Sequence, residues 1–216
     1  MSMRLLLDND VIFTPRESLA LALKTGVEEA ERRGRIIIEV HGDGRPLLDE
    51  LLSAPPDNAS GIHELKMISA DPKLLVAETL MQAADSLRLA RQHQSAASDR
   101  FLANDVDSAL DEVKNAFGVW QAVRDAFEKS AQVIGPHLFE VRFDVGNGET
   151  RVAREDVDAL TAALREVRDA MEAQDWSALA DAMEYGLSGV VDRWEVMLTA
   201  ISRAIREGRA GGPTRA

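Results

Sequence analysis

The 216 residues suffice for one large domain or two small ones. A chain of this length buries roughly 70% of its unfolded surface, so it needs no covalent staple. It contains no cysteine, which excludes a disulfide framework, a thiol nucleophile and a zinc–cysteine centre. Acidic residues outnumber basic ones by 37 to 25, a net charge of −12, and none of the stretches 1–71, 72–135 and 136–216 is net basic, which argues against a nucleic-acid surface.

In chain order, Met3–Leu7 has strand character and is followed by the turn-like Asp8-Asn9-Asp10 and by Val11-Ile12-Phe13. Thr14-Pro15-Arg16-Glu17 combines a capping threonine, a proline at the first helical position and a capping-box glutamate, so a helix is expected to start there. Its apolar stripe is Leu19, Leu23, Val27 and Ala30, and Gly34 stops it. Arg35–His41 is a β-branched strand ending in the Gly42-Asp43-Gly44 turn, and Ile62–Ile68 is its partner. A short helical piece at Leu47–Leu52 and a Pro55-Pro56-Asp57-Asn58 loop lie between them. Residues 1–71 therefore read as a small β-α-β-β unit, too thin to cover both faces of its own sheet.

The remainder is mostly helix. Asp71-Pro72 starts a long helix with a stripe through Leu75, Leu80, Met81, Ala84, Leu87 and Arg91. Asn104-Asp105 ends it and caps the next, whose stripe is Val106, Leu110, Val113, Phe117, Trp120, Phe127, Ala131 and Ile134, with Arg124 out of place in the seam. After Gly135-Pro136, alternation through Phe139, Val141, Phe143 and Val145 predicts a strand or hairpin over 138–152, turning at Gly146-Asn147-Gly148. Two further stripes come after it: Val157, Leu160, Leu164, Val167, Met171, and then Trp176, Leu179, Met183, Val190, Trp194, Leu198, Ile201, Ile205. The expected fold is α+β and mostly helical: the N-terminal unit, a bundle of about four long helices over 72–207 with the inserted hairpin, and a flexible tail over 208–216.

Catalytic signatures are missing. The four histidines are never three or four residues apart and none completes a Glu-x-x-His pair, so no metal or cofactor is expected and no catalytic residue is assigned. An alternative reading, a small-ligand-binding protein or an enzyme, would place its site between the N-terminal unit and the bundle and use Asp8, Asp10, His41 and Arg45: carboxylates after a strand, and an arginine beside a glycine turn whose N–H groups could face an anion. Ordinary turns explain the same residues without a ligand.

The last helix carries more information. Asp181, Glu184 and Asp192 fall at helical spacings and could form an acidic strip facing a basic partner. Gly186 and Gly189 lie mid-helix, where each costs about 1 kcal/mol relative to alanine, which suggests a kink or another backbone close by. Tyr185, the only tyrosine, sits beside them. The seams exceed what a self-contained bundle needs. The chain is therefore expected to be a non-enzymatic interaction protein, an adaptor, chaperone-like binder or assembly subunit, acting through helical faces. Trp120 is expected inside the bundle. Asp181, Glu184, Tyr185, Gly186, Gly189 and Asp192 are expected at a partner or homodimer interface. No run approaches the roughly 18 apolar residues of a membrane helix and the N-terminus lacks a signal-peptide core, so a cytoplasmic setting is expected, with no membrane or nucleic-acid partner.

Overall fold

The computed structural model describes residues 3–12, 18–56, 61–146 and 148–208. It is α+β and mostly helical, a five-stranded mixed sheet and a separate hairpin accompanying the helices. The chain forms two compact units, Met1–Leu75 and Val76–Ala216.

In the first unit, β1 (Arg4–Leu7) and β2 (Asp10–Ile12) form a hairpin, followed by α1 (Leu19–Arg32), β3 (Ile36–Gly42), β4 (Arg45–Pro46), α2 (Asp49–Ser53) and β5 (Glu64–Ala70). The sheet order is β2-β1-β5-β3-β4, with β1 and β5 parallel at its centre and the other pairs antiparallel. It thus has two more strands than the sequence suggests. Both are short, and both are edge strands, where a few residues, Pro46 among them, end the hydrogen-bonding pattern without a recognisable apolar run. Leu5 and Leu7 of β1, Leu65 and Met67 of β5, and Leu19, Ala22 and Ala30 of α1 form the core.

Ser18 caps α1, its Oγ accepting the N–H of Leu21 at 3.2 Å, while the expected capping box at 14–17 lies outside the described residues. Val27, expected in the buried stripe, is exposed, and Gly26 is buried in its place. A Cβ on Gly26 would lie 2.2 Å from Met67 Sδ, so the missing side chain is what lets α1 lie close on β5.

The second unit is built on α3 (Pro72–Leu102), α4 (Val106–Ile134), the hairpin β6 (Arg142–Gly146) and β7 (Glu149–Val152), α5 (Ala153–Glu172), α6 (Trp176–Asp181) and α7 (Leu187–Arg206). A single π-helical turn, Ala182–Gly186, joins α6 to α7. Asp71, Asp105 and Asp175 cap α3, α4 and α6 by accepting backbone N–H bonds. The expected strand start at Phe139 is a 3-10 turn, Pro136–Glu140, which seats the Phe139 ring edge-on to Phe127 at 5.1 Å.

The buried seams run beside the expected stripes. On α4 the buried line is Ala109, Val113, Ala116, Trp120, Val123, Phe127 and Ser130. Leu110 and Phe117 only flank it. Arg124 is no anomaly, because the seam passes through Val123. On α3 the line is Val76, Leu80, Ala83, Leu87, Ala90, Gln94, Ala97 and Phe101, with Leu75 exposed and Arg91 at the surface. On α5 it is Asp156, Leu160, Ala163, Val167 and Ala170, with Met171 exposed. All three seams alternate large residues with alanine or another small residue, the pattern by which facing helices interdigitate.

Neither tryptophan seam is left over for a partner. Trp120 and Trp194 are each 1% exposed and meet edge-to-face at 5.7 Å, and Phe127 lies 5.8 Å from Trp194. The last helix therefore spends its apolar face within the chain, and only its other side remains available for a contact of the expected kind.

Candidate functional site

The four candidate ligand residues of the first unit do not converge. Asp8, at φ 58° in the β1–β2 turn, accepts the Ser69 N–H at 2.8 Å and the Ser69 hydroxyl at 2.9 Å, pinning that turn to the C-terminal end of β5. Arg35 donates to the Ser69 Oγ and carbonyl at 2.6 and 2.7 Å. Burial alone would raise the Asp8 carboxyl. The two Ser69 hydrogen bonds and the charges of Arg35 and Arg33 outweigh it and hold the group below its ordinary value. Asp10 pairs with Arg33 at 2.6 Å, and His41 Nε2 lies 2.9 Å from Glu39.

Arg45 is at the other end of β5, exposed and following the Asp43-Gly44 turn, whose φ values of 47° and 78° make it a two-residue hairpin of the primed kind. The Asp43 carboxylate accepts the N–H groups of His63 and Glu64, and the Asp43 N–H bonds the Glu64 carbonyl. These polar groups are committed to the chain itself. Gly42 is not in a left-handed conformation; its lack of a side chain makes room for Ile62.

The six candidates on the last helix are parted by the π-turn, which adds a residue to one helical turn and rotates the helix beyond it. Asp181 and Gly186 face α5. Glu184 faces α3, and Asp192 does so through a hydrogen-bonded ion pair with Arg91. Tyr185 is 76% exposed, and a Cβ on Gly189 would meet open space. Gly186 has only a Glu166 carboxylate oxygen near its missing Cβ, at 3.8 Å, so neither glycine serves a close approach within the chain.

Between α5 and the α6–π segment lies a groove of about 580 Å³. Its floor is alanine and glycine, from Ala170 and Ala173 to Ala178, Ala182 and Gly186, and its walls carry Glu166, Asp169, Asp175 and Asp181. No basic side chain lines it, although Arg168 pairs with Asp169 at 2.7 Å from outside. A groove with this lining can take a slender segment over its small-residue floor and attract positive charge to it.

A polar cluster not apparent from sequence lies where α5 meets α7. Asp156 is fully buried and accepts from Arg193 at 2.7 Å and Arg151 at 3.0 Å, while its carbonyl takes the Trp194 indole N–H at 2.9 Å. Burial pushes its carboxyl above the ordinary range, against the pull of the Arg193 hydrogen bond and the two guanidinium charges. Among the described residues no group of three or more His, Asp or Glu could hold a metal ion, and no helix is long and apolar enough to cross a membrane.

The geometry thus defines a class only by architecture: a mostly helical α+β protein with an acidic groove in its helical unit. The chain matches no family model, no curated protein and no solved structure.

Proposed function

We propose that the protein is a non-enzymatic interaction protein, an adaptor or assembly subunit, whose helical unit receives a basic segment of a partner protein in the groove between α5 and α6. The observation that carries this is the lining itself: four carboxylates and no basic side chain around an alanine–glycine floor. Complementary charge would speed encounter and set the register of the partner, and the small floor would let its backbone come close. A lysine-rich helical peptide, titrated by fluorescence anisotropy, is the probe. Neutralising the groove (Glu166→Gln, Asp169→Asn, Asp181→Asn) should weaken binding by about tenfold or more, or about 1.4 kcal/mol. Removing equal charge at the exposed Asp85, Asp111 and Glu195 should change it far less. Equal losses in the two triple variants would reduce the binding to a general effect of net charge and sink the proposal.

A second contact, with another copy of the chain, is supported by the outward-facing Tyr185 next to Gly189. Sedimentation of wild type and Tyr185→Ala decides it: a monomeric wild type, or an unchanged dimer in the variant, rules it out.

A further inference from the structure

The Asp156 carboxylate holds two arginines, which leaves one positive charge over. Arg193 of α7 and Arg151 of β7 both donate to its Oδ1, at 2.7 and 3.0 Å. The Arg151 guanidinium also lies over the Phe143 ring, 5.8 Å from its centroid, so an ion pair and an aromatic face hold it together. The Asp156 carbonyl takes the Trp194 indole N–H at 2.9 Å, which ties the residue next to Arg193 to the same junction. Both guanidiniums are therefore positioned before any ligand arrives.

The pair opens on a pocket of about 500 Å³, lined by Val145, Glu149, Thr150, Arg151, Glu155 and Arg193. That volume is within the range for small-molecule sites, and every lining residue but Val145 is polar or charged. Asp156 engages only Nε of Arg193 and Nη1 of Arg151. Arg151 Nε is sealed from solvent and takes no part, whereas Arg151 Nη2 and both terminal nitrogens of Arg193 are open to solvent and have no partner among the described residues. Glu149 and Glu155 line the same pocket, yet among the described residues neither forms an ion pair with either arginine. Two carboxylates are at hand, and the fold does not use them to neutralise the excess charge.

We infer that this pocket binds a phosphate group, seated against the terminal nitrogens of Arg151 and Arg193. A phosphate dianion suits the pair better than a carboxylate does. It offers three terminal oxygens to N–H groups arriving from two elements, and its charge meets the one left over on the arginines. Glu149 and Glu155 oppose it by like charge, so neutralising either tightens binding. The pocket shares no lining residue with the groove between α5 and α6, so the two sites stand or fall separately.

The test is calorimetric titration of the full chain with inorganic phosphate, glycerol phosphate and acetate at constant ionic strength. Phosphate and its ester should bind saturably, and acetate about tenfold more weakly. Tighter binding of the ester marks an esterified ligand, and the reverse order marks free phosphate; both support the site. Arg193→Gln should weaken binding by about tenfold or more, and so should Arg193→Lys, which keeps the charge but loses the planar fork. Circular dichroism checks that both variants keep native helix content. Arg165→Gln removes the same charge at an exposed position on α5 and should leave binding unchanged. Glu149→Gln should strengthen it about threefold. Three results would overturn the inference: no saturable binding of either phosphate species at millimolar concentration, equal losses in Arg165→Gln and Arg193→Gln, or acetate binding as tightly as phosphate.

Discussion

Asp156 and Gln94 are two buried polar side chains in the same helical unit, and they differ in how many partners their neighbours supply. Around Asp156, Arg151 of β7 and Arg193 of α7 donate to one carboxylate oxygen and the Trp194 indole N–H to the carbonyl, while the second carboxylate oxygen has no hydrogen-bond partner. Around Gln94 nothing converges, although the side chain is as deeply buried. The first arrangement fixes how the hairpin, α5 and α7 pack. The second leaves both polar atoms of an amide unpaired inside a helix seam.

The largest effect should come from taking away the aromatic support of the Asp156 cluster. Trp194→Ala opens a cavity against Trp120 and Phe127 and frees the Asp156 carbonyl, and should cost about 3–5 kcal/mol in urea unfolding. Trp120→Ala should cost about as much, and because the rings touch, the double variant should lose less than the sum. Next is Asp156→Ala, which leaves Arg151 and Arg193 without their shared carboxylate and should cost about 3 kcal/mol. A loss under about 1 kcal/mol would mean that the arginines are solvated and the cluster is not what orders this junction.

Acid titration sharpens the comparison through sign. Asp8 has a folded value below its ordinary 3.8, so its contribution is present above that pH and is lost as pH falls through the folded value. Asp156 is shifted up, so the folded state holds its proton longer, and its contribution falls as pH rises from 3.8 through the raised value. In unfolding measured across the acid range, the stability gap between wild type and Asp8→Asn should widen with rising pH. The gap between wild type and Asp156→Asn should narrow. The same slope in both would contradict the assignments.

Much of this architecture was legible because it is written in single residues with strong local preferences. Asp71-Pro72, Asn104-Asp105 and Gly135-Pro136 end and start helices where expected, and Trp120 is core as read. The rotation of the seams on α3, α4 and α5 was not legible. Half-buried Leu110, Phe117 and Leu164 dominate an apolar stripe, whereas the buried lines run through Ala109, Ala116 and Ala163, whose small side chains give little signal. The last-helix candidates were found as residues but not as a surface, since sequence alone does not place a π-turn that parts Asp181 and Gly186 from Glu184 and Tyr185. Asp156 reads as an ordinary acid in a first turn because Arg193 lies 37 residues away. Gln94 could have been found: the seven-residue line from Leu80 through Leu87 to Phe101 passes through it, but it is hidden in the polar run Arg91-Gln92-His93-Gln94.

The most direct measurement sets Gln94→Leu beside Asp156→Leu in equilibrium urea unfolding without added ligand. Both replace a buried polar side chain by the same apolar one. If the Gln94 amide is unpaired in the folded protein, its replacement should leave stability unchanged or raise it by about 1 kcal/mol, while Asp156→Leu lowers it by about 3 kcal/mol. A Gln94→Leu variant as destabilised as Asp156→Leu would show that the amide is already satisfied in the folded protein, and the contrast between the two sites would not hold.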